Sequence, residues 1–340
     1  MSARIVRNIF ISVGVLFALT RLQAATFITF DVPDAFFTIG TSINPEGTIT
    51  GNYFSGVDFN FDGFVRAPDG TITTFEAPGA VNGTFLGLGG INPNGTITGS
   101  STDASFVDHG FVRAPDGTIT TFDVPGAVNG TDPTGINPKG TIPGSYLDAS
   151  FISHGFVRAP DGTITTFDVP GAVNGTGPSG GITPNGTIPG SYADANFLAH
   201  GFVRAPDGAF TTFDVPGAVN GILTTGINPE GTITGFYTGA DFILHGFVRA
   251  PGGTITTFDV PGVVNGTDPE GINPKGTITG AYTGADFFSH GFVRAPDGTI
   301  TTFDFPGAVQ TRPIDINPNG TITGFYTDAS FRGHAFVRIP

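Results

Sequence analysis

The hydrophobic pattern changes every few residues and never settles into one long period. Short runs such as Thr163-Ile-Thr-Thr-Phe-Asp168 combine β-branched and aromatic residues, and Pro or Gly cuts each one off. No window keeps an apolar 3.6-residue period free of Gly and Pro, which excludes long helices. One stretch spells a unit of four strands. Thr134–Asn137 reads as a short strand A, Thr141–Tyr146 as B, His154–Arg158 as C and Thr163–Asp168 as D. Asn137-Pro-Lys-Gly140 and Pro160-Asp-Gly162 supply the tight A–B and C–D turns. The B–C loop, 148–153, and the D–A loop are longer. Pro143 and Pro189 inside strand B predict a bulge there.

The unit recurs. Phe-Val-Arg starts at Phe64, Phe111, Phe156, Phe202, Phe247, Phe292 and Phe336. A Phe before an acid and an Ile-x-Pro turn each recur seven times as well. Seven four-stranded units of about 45 residues predict an all-β fold, a seven-bladed β-propeller of antiparallel blades. The ends favour a ring over an open stack. The chain after its leader begins with a lone strand D, about 26–32, and ends with a strand C, about 334–338, that lacks one. Pairing these orphans closes the ring and leaves no bare edge. The expected organisation is a signal peptide over 1–24 and a single propeller domain over 25–340.

The pattern Gly-Ile-Asn-x-x-Gly-x-Ile-x-Gly, followed by His-(Ala/Gly)-Phe, resembles the HAF-type extracellular repeat family of bacteria. The likeness covers the whole chain after the leader. His334-Ala335-Phe336 spells the motif; five repeats have His-Gly-Phe and the first has Asp62-Gly63-Phe64. The resemblance implies export and repeats, and supplies no catalytic residues.

Composition narrows the rest. Gly 53 and Pro 27 in 340 residues fit many short strands and turns. Arg4 and Arg7, the apolar run Ile9–Thr20 and Leu22-Gln23-Ala24 form the tripartite pattern of a secretory leader. No second apolar run exists, so no membrane span is expected once the leader is removed. With no Cys, stability must come from packing. Without the leader's three arginines, 11 basic residues face 28 acidic ones, a net charge of −17. Nucleic-acid binding is excluded on that balance.

The candidate chemistry is sparse. His109, His154, His200, His245, His290 and His334 each precede strand C's Phe-Val-Arg. In a seven-fold ring, neighbouring His on the third strand stand over ~10 Å apart, against ~2 Å for a metal–nitrogen bond. No metal and no cofactor is expected. A three-residue C–D loop instead sets each His opposite the acid fourteen residues on. The pairs are His109–Asp123, His154–Asp168, His200–Asp214, His245–Asp259 and His290–Asp304, with His334–Asp31 across the closure. These read as structural pairs that fix register. In the first repeat Asp62 faces Glu76, the best single asymmetry in the ring and a further pair of candidate binding residues. The D–A loop offers Asn129, Thr131 and Asp132 as binding groups, and the last loop departs from its fellows through Arg312 and Asp315. The Phe of each B–C loop (Phe106, Phe151, Phe197, Phe242, Phe287, Phe331) reads as an anchor packed between blades.

The expected function is an exported, non-enzymatic binding or scaffold module. Its longer-loop face would recognise polysaccharide or a cell-surface protein. The rival is a propeller lyase or hydrolase acting on an extracellular polymer.

Overall fold

The computed structural model describes residues 25–56, 59–87 and 89–340. The leader expected over 1–24 lies outside the described residues. Among the described residues all 28 elements, numbered in chain order, are strands. They form five separate four-stranded sheets and one eight-stranded sheet.

One four-stranded sheet shows the local logic. It runs β10 (Gly130–Pro133), β11 (Ile142–Leu147), β12 (Ser153–Arg158), β13 (Ile164–Phe167), antiparallel and in chain order. The C–D turn closes with Ala159 N donating to Thr163 O (2.8 Å) and Gly162 N to Ala159 O (2.9 Å). Gly162 has φ 92°, the left-handed conformation this loop requires of its third residue. That loop length sets Gly155 opposite Phe167.

Two expectations are corrected here. The first strand is Gly130–Pro133, not Thr134–Asn137. Thr131 Oγ1 accepts the N–H of Val124 (3.2 Å) and pins the chain before the expected start. Beyond it, Gly135 runs so close to the next repeat that a Cβ would lie 2.9 Å from the Cα of Gly181. The bulge expected at Pro143 is absent from the β11–β12 ladder, where Pro143 faces Val157 in unbroken register. Pro143 lacks the N–H with which its counterpart Thr98 donates to Gly90 O (2.9 Å), while Pro143 O still accepts Thr134 N (2.9 Å).

The chain ends meet in the eight-stranded sheet. β1 (Thr26–Phe30) pairs antiparallel with β28 (Gly333–Ile339), from Thr26↔Ile339 to Phe30↔Ala335. The sheet continues into β2 (Ala35–Ile43) through one parallel bridge, Phe37↔Gly333. The Phe37 ring lies over Gly333 where any Cβ would stand, 1.8 Å away. The core lies between successive sheets. Ile142 and Phe156, both 0% exposed, pack with Val124 and Ile136 against Val112 and Phe122 of the preceding repeat. Each such side chain contributes roughly 1.5–3 kcal/mol on burial.

Candidate active site at the inner strands

The first strand of every repeat turns one edge toward a common axis. A 160 Å³ cavity on that axis is ringed by Ile43, Ile91, Ile136, Ile182, Ile227 and Ile272, with Glu270 and Asp315 among them. Close glycines make the ring narrow. A Cβ on Gly271 would lie 3.0 Å from the Cα of Asp315. Toward the D–A loops the axis widens into a second cavity of 400 Å³. Asp132, Asp268 and Glu270 line it, beside Ser179 and Thr225 and the apolar Leu223 and Phe236. Glu270 stands at the junction and lines both.

These charges come from equivalent places on different strands. Asp132 lies in β10 opposite Ser145. Asp268 lies in β22 (Thr267–Ile272) opposite Ala281, and Arg312 in β26 (Gln310–Ile316) opposite Phe325. The register is the same in all three, so a D–A loop that looks merely variable in sequence sets an acid on two inner strands and a base on a third. Arg312 Nη2 reaches across to its neighbour, 2.8 Å from Asp268 Oδ2 and 3.4 Å from Glu270 Oε1. Asp268 Oδ1 is buried without a hydrogen-bond partner.

Low solvation shifts these acids apart. Burial, and then the neighbouring Asp268 charge, pushes Glu270 up to about 8 against the pull of Arg312. Burial also raises Asp268, with Arg312 opposing. Asp132 keeps solvent contact at the cavity mouth, yet the surrounding walls desolvate its carboxylate. That pushes it up to about 6; the Ser100 hydroxyl opposes the shift and the Asp108 charge adds to it. Asp315 is a different case. Its Oδ2 accepts Ile43 N (2.9 Å) and Ser42 Oγ (3.2 Å), and its Oδ1 accepts Ile316 N (2.8 Å). It ties the last inner strand to the first.

The other sequence candidates lie elsewhere. Thr131 is buried and structural, as described, and Asn129 Nδ2 donates to Asp148 O (2.6 Å), pinning the D–A loop to the B–C loop. Neither lines the larger cavity; Asp132 does. Asp62 and Glu76 flank the pair Gly63↔Phe75 on the two outer strands, away from both cavities. The six His stand beside their strand D acids. The Nδ1–Oδ distances are 2.8 Å for His109–Asp123, 2.9 Å for His154–Asp168 and 2.6 Å for His200–Asp214. They are 2.9 Å for His245–Asp259, 3.0 Å for His290–Asp304 and 2.9 Å for His334–Asp31. Each His also faces a B–C loop acid through Nε2, as His245 faces Asp241 at 3.2 Å. The B–C loop Phe residues are not packed anchors: Phe106 is 76% exposed.

Sequence inspection marked Asp132 and Arg312 but passed over Asp268 and Glu270. Glu270 precedes a Gly-Ile-Asn that looks like every other repeat; it is the residue left out of the β22–β23 register between Pro269 and Gly271, and the lining of both cavities places it at the axis.

No protein-family model and no curated protein matches the chain. Solved structures do. Virginiamycin B lyase from Staphylococcus aureus is similar with a TM-score of 0.66 and 13% identity, over 93% of this chain and 100% of that one. A catalytically inactive variant of that enzyme with quinupristin gives 0.63 and 15%, over 93% and 100%. A streptogramin B lyase gives 0.60 and 15%, over 92% and 97%. These neighbours are β-propeller proteins, and the likeness shows the fold. These three are enzymes by name, which runs against the expectation of a non-enzymatic binding or scaffold module; at 13–15% identity they show the fold and not an activity.

Proposed function

We propose that the chain is an acid–base enzyme whose active centre is the 400 Å³ cavity of the inner strands. One arrangement carries the reading: Asp132 and Glu270 line a single cavity, with Arg312 against Glu270 at 3.4 Å. Two carboxyl groups of unequal acidity share that cavity, Glu270 at about 8 and Asp132 at about 6. At pH 7 Glu270 holds its proton and Asp132 is mostly ionised. A donor and an acceptor are therefore ready in one pocket.

That division suits elimination. Asp132 takes a proton from carbon next to a carbonyl, and the electron pair forms a carbon–carbon double bond. The carbon–oxygen bond at the neighbouring carbon breaks, and Glu270 gives its proton to the departing oxygen. Arg312, bound to both Asp268 and Glu270, is the positioning residue. Leu223 and Phe236 offer an apolar wall, and the volume is that of a small-molecule site. The substrate class is a small, partly apolar ester with oxygen as leaving group. The lyases of similar fold support this reading through their names alone.

The seven four-stranded groups are read here as the blades of a closed seven-bladed propeller, with β1 as the outer strand of the last. The cavity ringed by every inner strand supports that count. The leader pattern over 1–24 supports export, and the repeat markers support kinship with HAF-type repeats.

Turnover of quinupristin and of a panel of small β-oxygenated esters tests the proposal. At least one ester is expected to be opened, with kcat about 100-fold lower in Glu270→Gln. No turnover across the panel, or turnover untouched by that change, overturns it.

A further inference from the structure

Within one repeat the same hairpin turn is made three times, with one difference. In the second repeat, Asn92 N donates to Thr96 O and Gly95 N to Asn92 O, both at 3.0 Å. Ala114 N donates to Thr118 O (2.8 Å) and Gly117 N to Ala114 O (2.9 Å). Between them, Asp103 N donates to Val107 O (3.0 Å) and Phe106 N to Asp103 O (3.1 Å). The left-handed residue is Gly95, then Phe106, then Gly117, with φ of 81°, 61° and 95°.

Every repeat keeps a Phe at that place. Phe59, Phe106, Phe151, Phe197, Phe242, Phe287 and Phe331 have φ between 59° and 65°. Glycine adopts this conformation freely, whereas a side chain makes it strained. Burial does not offset the strain, for the rings are 62% to 79% exposed. A large apolar side chain held seven times where glycine fits better has its use outside the fold.

We infer that the seven rings form a crown that docks this face on a lipid surface. The inference stands apart from the acid–base reading. The rings sit at the B–C tips, at the D–A loop end of the molecule, where Val81, Val128 and Val173 are also over 50% exposed. Ala and Ser precede the ring at Phe106, Phe151 and Phe331, while an acid stands directly before it at Phe59, Phe242 and Phe287. The acids of the tips bond back toward their own repeat, the half-exposed Asp241 and Asp286 to His245 and His290 at 3.2 and 3.1 Å. Asp103 Oδ1 accepts Ser105 N (2.7 Å) and Val107 N (2.9 Å), and its Oδ2 lies 3.5 Å from His109 Nε2.

Symmetry and charge select the partner. A crown of like rings calls for the same apolar contact at seven places, which a laterally uniform bilayer interface provides. A second copy would bring two strongly acidic bodies face to face, since this chain holds 28 acidic against 14 basic residues. The same charge disfavours anionic headgroups, so the surface is zwitterionic.

Vesicle flotation of residues 25–340, which hold all 28 strands, tests this. The probes are phosphatidylcholine vesicles and, separately, phosphatidylglycerol vesicles. The comparison variant carries Phe→Asn at all seven positions, because Asn tolerates the left-handed conformation. Wild type is expected to float with phosphatidylcholine, and the variant to partition at least tenfold less. Phosphatidylglycerol is expected to bind more weakly at low salt and to recover as salt rises. If the sevenfold variant does not fold, a series beginning with Phe106→Asn and adding Phe151→Asn and Phe197→Asn should lower the partition stepwise. Wild type that floats with neither vesicle, a variant that floats equally, stronger binding to phosphatidylglycerol, or a crown-dependent dimer without flotation would each overturn the inference.

Discussion

Asn317 Nδ2 donates to the backbone carbonyl of Asn44, 3.4 Å away and 273 residues earlier in the chain. The same bond joins Asn44 to Asn92 (3.5 Å), Asn92 to Asn137 (3.3 Å), Asn137 to Thr183 (3.4 Å) and Asn273 to Asn317 (3.3 Å). Each amide also holds its own A–B turn; Asn317 Oδ1 accepts Asn319 N and Thr321 N, both at 3.0 Å. The ladder therefore couples a local turn to its neighbour and ties the last repeat to the first. Asn317→Ala leaves buried backbone groups unpaired and is expected to cost about 1–3 kcal/mol in urea unfolding. Thr183 has no amide to pass on, and Thr183→Asn is expected to add about 0.5–1.5 kcal/mol. No change in either variant would mean that the ladder contributes nothing.

A second interrepeat contact stacks charge on a ring. The Arg158 guanidinium lies 4.9 Å from the centre of Phe122, a strand D ring of the preceding repeat. Arg338 lies over Phe303 at 4.7 Å in the last repeat. Arg158→Gln is expected to lower stability by about 1 kcal/mol, and a double-mutant cycle with Phe122→Leu should assign about half or more of that to the pair. A coupling near zero would reduce the contact to packing of the Arg stem.

The His clamps give stability a pH dependence. The Asp214 hydrogen bond, against desolvation and with help from the Asp214 and Asp194 charges, holds His200 above its ordinary value. A raised folded-state value means the contribution is full below about 6.5 and is lost as pH rises through the folded value. The loop acid moves the other way. Hydrogen bonds from Leu198 and Asn196 backbone hold Asp194 below its ordinary range, so its contribution is lost only as pH falls through that lowered value. Maximum stability is expected in mild acid, with a fall on the alkaline side that shrinks in His200→Gln. A flat profile from pH 5 to 8 would exclude the clamps as a source of stability.

Glu270 adds a slope of the same sign. Its folded value of about 8 lies above the ordinary ~4.3, so keeping the site folded favours the protonated acid between those limits. Glu270→Gln cannot ionise. It is expected to match wild type near pH 4 and to exceed it by on the order of 1–3 kcal/mol at pH 8 to 9. Parallel stability curves for the two proteins would mean that Glu270 ionises normally.

The fold was legible because its markers recur at fixed spacing. The turn Pro160-Asp-Gly162 sets the strand C–D register, and that register puts His154 beside Asp168. The lone strands at the two ends could be recognised because each lacked the neighbour the other repeats possess. The active-site candidate was not legible in the same way. Asp268 and Glu270 sit in a segment that reads as a variable loop, and the inner strand begins four or five residues before its Gly-Ile-Asn marker. The exposed crown ran against the rule that aromatic residues pack. Nothing in Asp103-Ala-Ser-Phe106 distinguishes a buried ring from one held outward by its backbone.

The most direct test of the active-site reading is the protonation state of Glu270 at neutral pH. Infrared difference spectra of wild type minus Glu270→Gln, with side-chain carboxyls isotope-labelled, report it. The expected result is a protonated carboxyl stretch at pH 7 that converts to carboxylate as pH passes about 8. A carboxylate band already complete at pH 7 would contradict the proton donor and, with it, the proposed chemistry.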